Sequence, residues 1–294
     1  MNPFPSLEPL CPWEEQEHTG HYAEVDHSQV AFEDFQKAVS DGRVLTRKGM
    51  VVLTTGGSGC GKTSLMHRCA HWLDAHWRDG HPSACQAVQI INLTGDGRKG
   101  SDSEQRVRHI FERFADELEL HLKPEEVQLL TDRRGDADRL APALSKVLSA
   151  KSTIAVVLLP SSEVPDEVER YAGLVRKNIL FLAETAFDNV AEHCGRRLGP
   201  TSATPVPQLR VGELTVEDGW RYVSHHFARH AGGPLPTVTE ETMRTVVQKR
   251  GRMSVRELQI LLHGKFEELP ADGQVAALTF EDFSEYYFRT ANRI

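Results

Sequence analysis

Eight consecutive residues, Gly56-Gly57-Ser58-Gly59-Cys60-Gly61-Lys62-Thr63, carry the most specific chemical signal in the chain. They fit G-x-x-x-x-G-K-[ST], the pattern of a loop that wraps a phosphate. Glycines at Gly56, Gly57, Gly59 and Gly61 let the backbone turn its N–H groups inward where side chains would obstruct it. Lys62 supplies a point charge for the outer phosphates, and the Thr63 hydroxyl suits a Mg²⁺ ligand. Ser64 continues into a segment that reads as a helix, whose first turn is electropositive. Ser58 completes the cradle, and Cys60 reads as a small filler whose oxidation would block it. Nucleoside triphosphate binding with Mg²⁺ is the chemistry implied.

Such a loop works only where a strand delivers it and a helix receives it. The β-branched run Val51 to Thr55 precedes the glycines, and Thr63 to Trp77 follows with Leu65, Cys69, Trp72, Leu73 and Trp77 near helical spacing. Further strands are expected at Ala87–Leu93, Thr153–Leu159, Asn178–Ala183 and Gln208–Val211. A turn at Thr94-Gly95-Asp96-Gly97 follows the first of these. Helices are expected over Val30–Ser40, from Ser103 through Leu118, over Ala137–Ala150, over Pro165–Arg176 and near Phe187–Cys194. Near-continuous apolar strands alternating with helices call for an α/β fold, a parallel sheet covered on both faces. From Thr215 onward strand signals vanish and four amphipathic helices follow, so an all-α lid domain is expected. The expected divisions are an extended N-terminal segment over 1–30, a phosphate-loop core over 31–212 and the lid over 213–294. The first segment is rich in Pro and acids, yet Phe4, Leu7, Leu10, Trp13 and Tyr22 are too apolar for a purely solvated tail.

Composition narrows the class. The 294 residues are 39% hydrophobic and 26% charged, ordinary for a globular protein, and a net charge of −8 disfavours a broad nucleic-acid face. No apolar run approaches membrane-spanning length, and the N-terminus lacks a basic stretch before an apolar one. Five cysteines without CxxC pairing argue for a reducing compartment. A cytoplasmic protein with no membrane partner is the expectation.

A phosphate-loop core followed by a small helical lid resembles the AAA+ and STAND families of ATPases. Asn2-Pro3-Phe4-Pro5 with Leu7 and Pro9 resembles the Asn-Pro-aromatic entry of bacterial STAND-type proteins. Arg210-Val211-Gly212-Glu213-Leu214-Thr215-Val216-Glu217-Asp218 is similar to the exit into the lid in origin-recognition-like ATPases. Gly251-Arg252-Met253-Ser254-Val255-Arg256-Glu257-Leu258 resembles the lid signature whose arginine reaches the γ-phosphate. The resemblance implies Arg256 in that role, Thr185 or Glu184 as sensor 1 after the fourth strand, and Arg196 or Arg197 as a finger entering a neighbouring subunit. It also implies ATP as the nucleotide; no guanine motif is evident. Where these families often carry a Gly-Arg pair ahead of the core, this chain has Thr19-Gly20-His21-Tyr22, which leaves His21 and Tyr22 as rings for stacking on a base.

One departure bears on mechanism. Related ATPases end the strand read here as third in two acids that hold Mg²⁺ and orient the attacking water. Here Leu159 is followed by Pro160-Ser161-Ser162-Glu163. Glu163, Glu184 and Asp96 are the substitute carboxylates. The reading is therefore an ATP-dependent regulatory or assembly switch with slow or absent hydrolysis, working as a homo-oligomer or with a separate effector protein. Alternatives are a DNA-associated ATPase partnering a nuclease or transposase, permitted by Arg133-Arg134 and Lys249-Arg250-Gly251-Arg252, and a small-molecule kinase.

Overall fold

A computed structural model describes residues 2–5, 8–41, 43–78, 87–96, 102–232, 235–269 and 277–291. Leu7 and Gly97, named above, lie outside them. Packing divides the chain into two compact units, one of residues 31–56 and 65–210, the other of 1–30, 57–64 and 211–294.

The first unit is built on five parallel strands: β1 (Met50–Thr55), β2 (Ala87–Asn92), β3 (Thr153–Ser161), β4 (Ile179–Thr185) and β5 (Gln208–Arg210). Their order is β2-β3-β4-β1-β5. Residues 154–160 of β3 are all buried, as are Val51 to Thr55 of β1. A strand covered on both faces shows no alternation, which is why these stretches read as continuous apolar runs. β1 pairs with β4 from Met50 opposite Leu180 to Thr55 opposite Thr185, so both strands end level. β3 reaches the same edge, with a register irregularity between Leu158 and Ser161 that sets Ser161 opposite Glu184.

The strands are joined or flanked by α1 (Ser28–Val39), α2 (Arg43–Arg47), α3 (Lys62–Arg78), α4 (Ser103–Glu119), α5 (Pro124–Thr131), α6 (Ala137–Ala150), α7 (Pro165–Leu174) and α8 (Asp188–Arg197). Phe111 and Phe114 of α4 and Tyr171 of α7 meet Phe181 of β4 at ring-centroid distances of 5.6, 6.3 and 5.6 Å. Asp102 and Asp136 cap α4 and α6, accepting from Gln105 N and Arg139 N at 2.8 and 3.2 Å.

The second unit holds α9 (Asp218–Arg229), α10 (Glu240–Arg250), α11 (Val255–Glu267) and α12 (Phe280–Ala291) around Val223, Met243, Leu258, Leu262 and Phe283. It also contains a two-residue parallel ladder, β6 (Thr237–Val238) with β7 (Ala277–Leu278), too short to leave a periodic trace in the sequence. Phe4 is buried in this core between Tyr222, Phe227 and Phe266, and the Asn2 amide donates to His263 O at 2.9 Å. The Asn-Pro-Phe entry is thus an anchor of the helical unit. No helix among the described residues is long and apolar enough to cross a membrane.

Candidate nucleotide site

The loop from Gly57 to Ser64 packs with the helical unit, so its surroundings are the N-terminal segment and α11. Gly59 and Gly61 both lie in the left-handed region, at φ of +77°. A Cβ on Gly59 would stand 2.8 Å from Ser254 Oγ and 3.1 Å from the Arg256 Cβ. Only glycine tolerates both the dihedral and the approach. The Arg256 N–H donates to Gly59 O at 3.1 Å, which seats the first turn of α11 on the loop.

That turn is itself fixed by a capping box. Ser254 Oγ accepts from Glu257 N at 3.2 Å, while the Glu257 carboxylate accepts from Ser254 N at 2.9 Å. With α3 starting at Lys62, two helix N-termini bring their positive ends to one loop.

Lys62 is 7% exposed, and its ammonium donates to Gly57 O at 2.8 Å. Among the described residues no carboxylate lies within ion-pair distance of it. A buried ammonium facing only a carbonyl is a cation whose counter-ion the protein does not provide. Gly57 and Ser58 are exposed, and a Cβ on Gly57 would meet nothing nearer than Cys60 Sγ at 3.5 Å. The loop therefore has the charge, the N–H groups and the open side that a polyphosphate requires. Ser64 Oγ accepts from Leu10 N at 3.2 Å, tying the N-terminal segment to the same turn. Cys60 is 2% exposed and burial, the largest cause, raises its thiol pKa, so it is a filler here and no nucleophile.

Arg256 is exposed, and among the described residues its guanidinium has no acid partner; Arg250 and Arg252 nearby are held by Glu257 and Glu213. Thr63 is half-buried in the first turn of α3. No group of three His, Cys, Asp or Glu side chains among the described residues could hold a metal ion. A Mg²⁺ here would arrive on phosphate oxygens, with the Thr63 hydroxyl as the protein's contribution.

One residue of this cradle left no mark in the sequence. Asp26 is 2% exposed, its Oδ2 stands 3.3 Å from where a Cβ of Gly61 would be, and its Oδ1 has no hydrogen-bond partner. Asp26 and His27 take φ of +53° and +63°, two successive left-handed non-glycine residues, a strained arrangement of the kind that gathers at functional sites. Burial, only partly opposed by hydrogen bonds from Ser28, pushes the carboxyl up to about 8. An acid in the short stretch Ala23-Glu24-Val25-Asp26-His27 offers no period to read. The Ser254-x-x-Glu257 spacing, by contrast, is a capping-box signal from which this helix start could have been found.

The other predicted residues belong to the sheet unit. Thr185 is fully buried; its Oγ1 donates to Ser162 O at 2.8 Å and accepts from Phe187 N at 3.1 Å. Glu184 is half-buried, opposite Thr54 in the ladder. Glu163 is exposed, with Arg106 Nη1 at 3.7 Å from its Oε2. Arg106, which the sequence marks only as part of a helix start, also places Nε 3.0 Å from Glu167 and donates to Ser161 O at 3.1 Å, so one guanidinium organises the end of β3. Burial raises the Glu167 pKa while Arg106 opposes it. Asp96 lies 3.4 Å from Arg113 Nε. Arg196 and Arg197 are exposed at the end of α8; Arg197 stands 3.6 Å from Glu169, and Arg196 has no acid partner among the described residues.

No family model and no curated protein matches the chain by sequence. Among solved structures it is similar to the ORC2 protein of Aeropyrum pernix in its ADPNP-ADP complexes, with TM-score 0.58 and 11% identity over 88% of this chain and 66% of that one. The ORC1 protein of Aeropyrum pernix in complex with DNA gives TM-score 0.53 and 12% identity over 90% and 65%. The Walker-type ATPase PABY2304 of Pyrococcus abyssi gives 0.52 and 9% over 89% and 71%. These likenesses show the fold alone: a parallel five-stranded sheet flanked by helices, with further helices after it, like that of the ORC proteins. The chain spans slightly less than two thirds of the length of the two ORC proteins just named.

Proposed function

We propose that this protein binds ATP with Mg²⁺ on the loop Gly56–Ser64 and uses it as a regulatory or assembly switch with slow or absent hydrolysis. The observation that carries the reading is Lys62, a buried ammonium with no carboxylate in ion-pair reach among the described residues, set in a glycine loop where two helices begin. The backbone N–H groups of the loop and Lys62 bind the polyphosphate, and Thr63 holds the cation that accompanies it. Arg256, the second residue of α11 and without an acid partner among the described residues, answers the γ-phosphate. A ligand shifts a two-state equilibrium only by its differential affinity, so Arg256 is where ATP and ADP are told apart.

Slow turnover is supported by what the candidate acids and polar groups already do. The Thr185 hydroxyl is consumed by Ser162 O and Phe187 N, Glu163 is drawn to Arg106, and Asp96 to Arg113. Any hydrolysis is assigned here to Glu184, half-buried in β4, or to Glu163. The partner of such a switch is a second copy of the chain, with Arg196 or Arg197 as the reaching group, or a separate effector protein. The basic clusters that would serve DNA are largely occupied: Arg134 is bound by Asp116 and Glu119, Arg250 by Glu257 and Arg252 by Glu213. The domain division of 1–30, 31–212 and 213–294 is part of the proposal.

Calorimetry with Mg-ATP tests the binding: a 1:1 isotherm is expected, lost in Lys62→Ala, and equal affinity in that variant overturns the reading. Phosphate release beside Glu163→Gln and Glu184→Gln then tells a switch from an ATPase. Solution mass in ATP, ADP and no nucleotide tests assembly; one unchanged mass in all three removes it.

A further inference from the structure

The sheet unit contains a cavity of about 330 Å³ at the amino-terminal end of β1, the opposite end of that strand from Gly56. Its apolar side is Val44 of α2, Val175 after α7, and Pro205 and Val206 ahead of β5. Its mouth carries Arg43, Arg47 and Lys48, all three exposed. Volumes of this size hold small organic ligands.

The mouth is a local surplus of positive charge on a chain of negative net charge. The chain carries a net −8, and Arg106, Arg113, Arg134, Arg170, Arg221 and Arg244 each meet a carboxylate. Arg43, Arg47 and Lys48, within six residues of one another, meet none among the described residues. The acid at the rim, Asp41, accepts from the Arg43 backbone N–H at 3.1 Å and opens α2. Three cations against one carboxylate leave a surplus of positive charge over an apolar wall. The backbone that presents them is fixed. Gly49 has φ of +75°, and a Cβ there would come within 2.1 Å of Arg176 O, so the reversal from α2 into β1 admits only glycine. Asn178 N donates to Leu45 O at 2.7 Å, pinning α2 to the residue that precedes β4.

We propose that this cavity is a binding site for a small amphiphilic anion, its apolar body against Val44, Val175 and Val206 and its carboxylate or phosphate head on Arg43, Arg47 and Lys48. Head and body are both required. The head meets charge-assisted donors at the mouth, and the body displaces water from the apolar wall. The site is independent of the phosphate loop and of the function proposed for it.

The test is calorimetry on the full chain with octanoate, with acetate as the head alone and with octylammonium as the body under the opposite charge. Saturable 1:1 binding of octanoate is expected, with acetate and octylammonium each at least tenfold weaker. The double variant Arg47→Glu/Lys48→Glu, both at exposed positions, should lose at least tenfold in octanoate affinity while its thermal midpoint and its response to Mg-ATP stay as in the parent. Octylammonium binding as well as octanoate, the charge-reversed variant binding octanoate undiminished, or no octanoate binding at all would each overturn the proposal.

Discussion

Replacing Asp26 by Asn probes the cradle at its least expected member. The carboxyl is raised from 3.8 to about 8. Between those values the folded protein holds a proton that the unfolded chain has released, so stability falls as pH rises through that window. At pH 7 the penalty spans about three pH units at roughly 1.4 kcal/mol each, or about 4 kcal/mol. Asn has the same shape and never ionises, and it is among the residues that best tolerate the left-handed φ of +53° found here. Its amide must still be accommodated where Oδ1 has no partner, which offsets part of the gain. The expected outcome is a variant about 2–4 kcal/mol more stable than the parent at pH 7. The difference should fall as pH is lowered toward 4, where only the pH-independent cost of the amide is left, and level off above pH 8. Urea denaturation of both proteins from pH 4.5 to 9 measures it. A difference independent of pH, or a less stable Asn variant at pH 8, would refute the buried neutral acid. A second readout follows from the position beside Gly61. Above pH 8 an ionised Asp26 repels a bound polyphosphate, so Mg-ATP affinity should fall more steeply with pH in the parent than in Asp26→Asn.

Further substitutions have defined outcomes. Arg256→Ala should bring ATP and ADP affinities within about threefold of each other while leaving the P-loop grip on ADP, as competition binding would show. Gly59→Ala forces a Cβ against Ser254 Oγ at a φ of +77°, and should cost about 1–3 kcal/mol in denaturant unfolding. Ser254→Ala removes the cap of α11 and should cost about 1 kcal/mol. Arg106→Ala strands Glu167, which is 3% exposed, and should destabilise by about 3 kcal/mol or more, whereas Arg106→Met/Glu167→Leu should recover most of that loss. If the single and double variants unfold alike, the pair is not the reason for the loss.

How far the sequence could be read follows from which forces act locally. The glycine loop and the strands were legible because a parallel strand covered on both faces must be apolar throughout, and because glycine spacing records dihedrals that other residues avoid. Val51–Thr55 and Thr153–Leu159 lie within β1 and β3 for that reason; β3 runs two residues further, through Pro160 and Ser161. Short elements were not legible. α2 has five residues and α5 eight, and neither is long enough for an apolar period to exceed chance. Within the site, the residues of one contiguous motif could be named, but those brought by tertiary packing could not. Asp26 reaches Gly61 across 35 positions of chain, and Arg106 reaches Ser161 across 55. Both are charged groups that folding buries, and burial changes what they are: one carboxyl becomes neutral, and one guanidinium ceases to be a surface charge. Composition records their charge in water; only the packed chain shows how burial alters it.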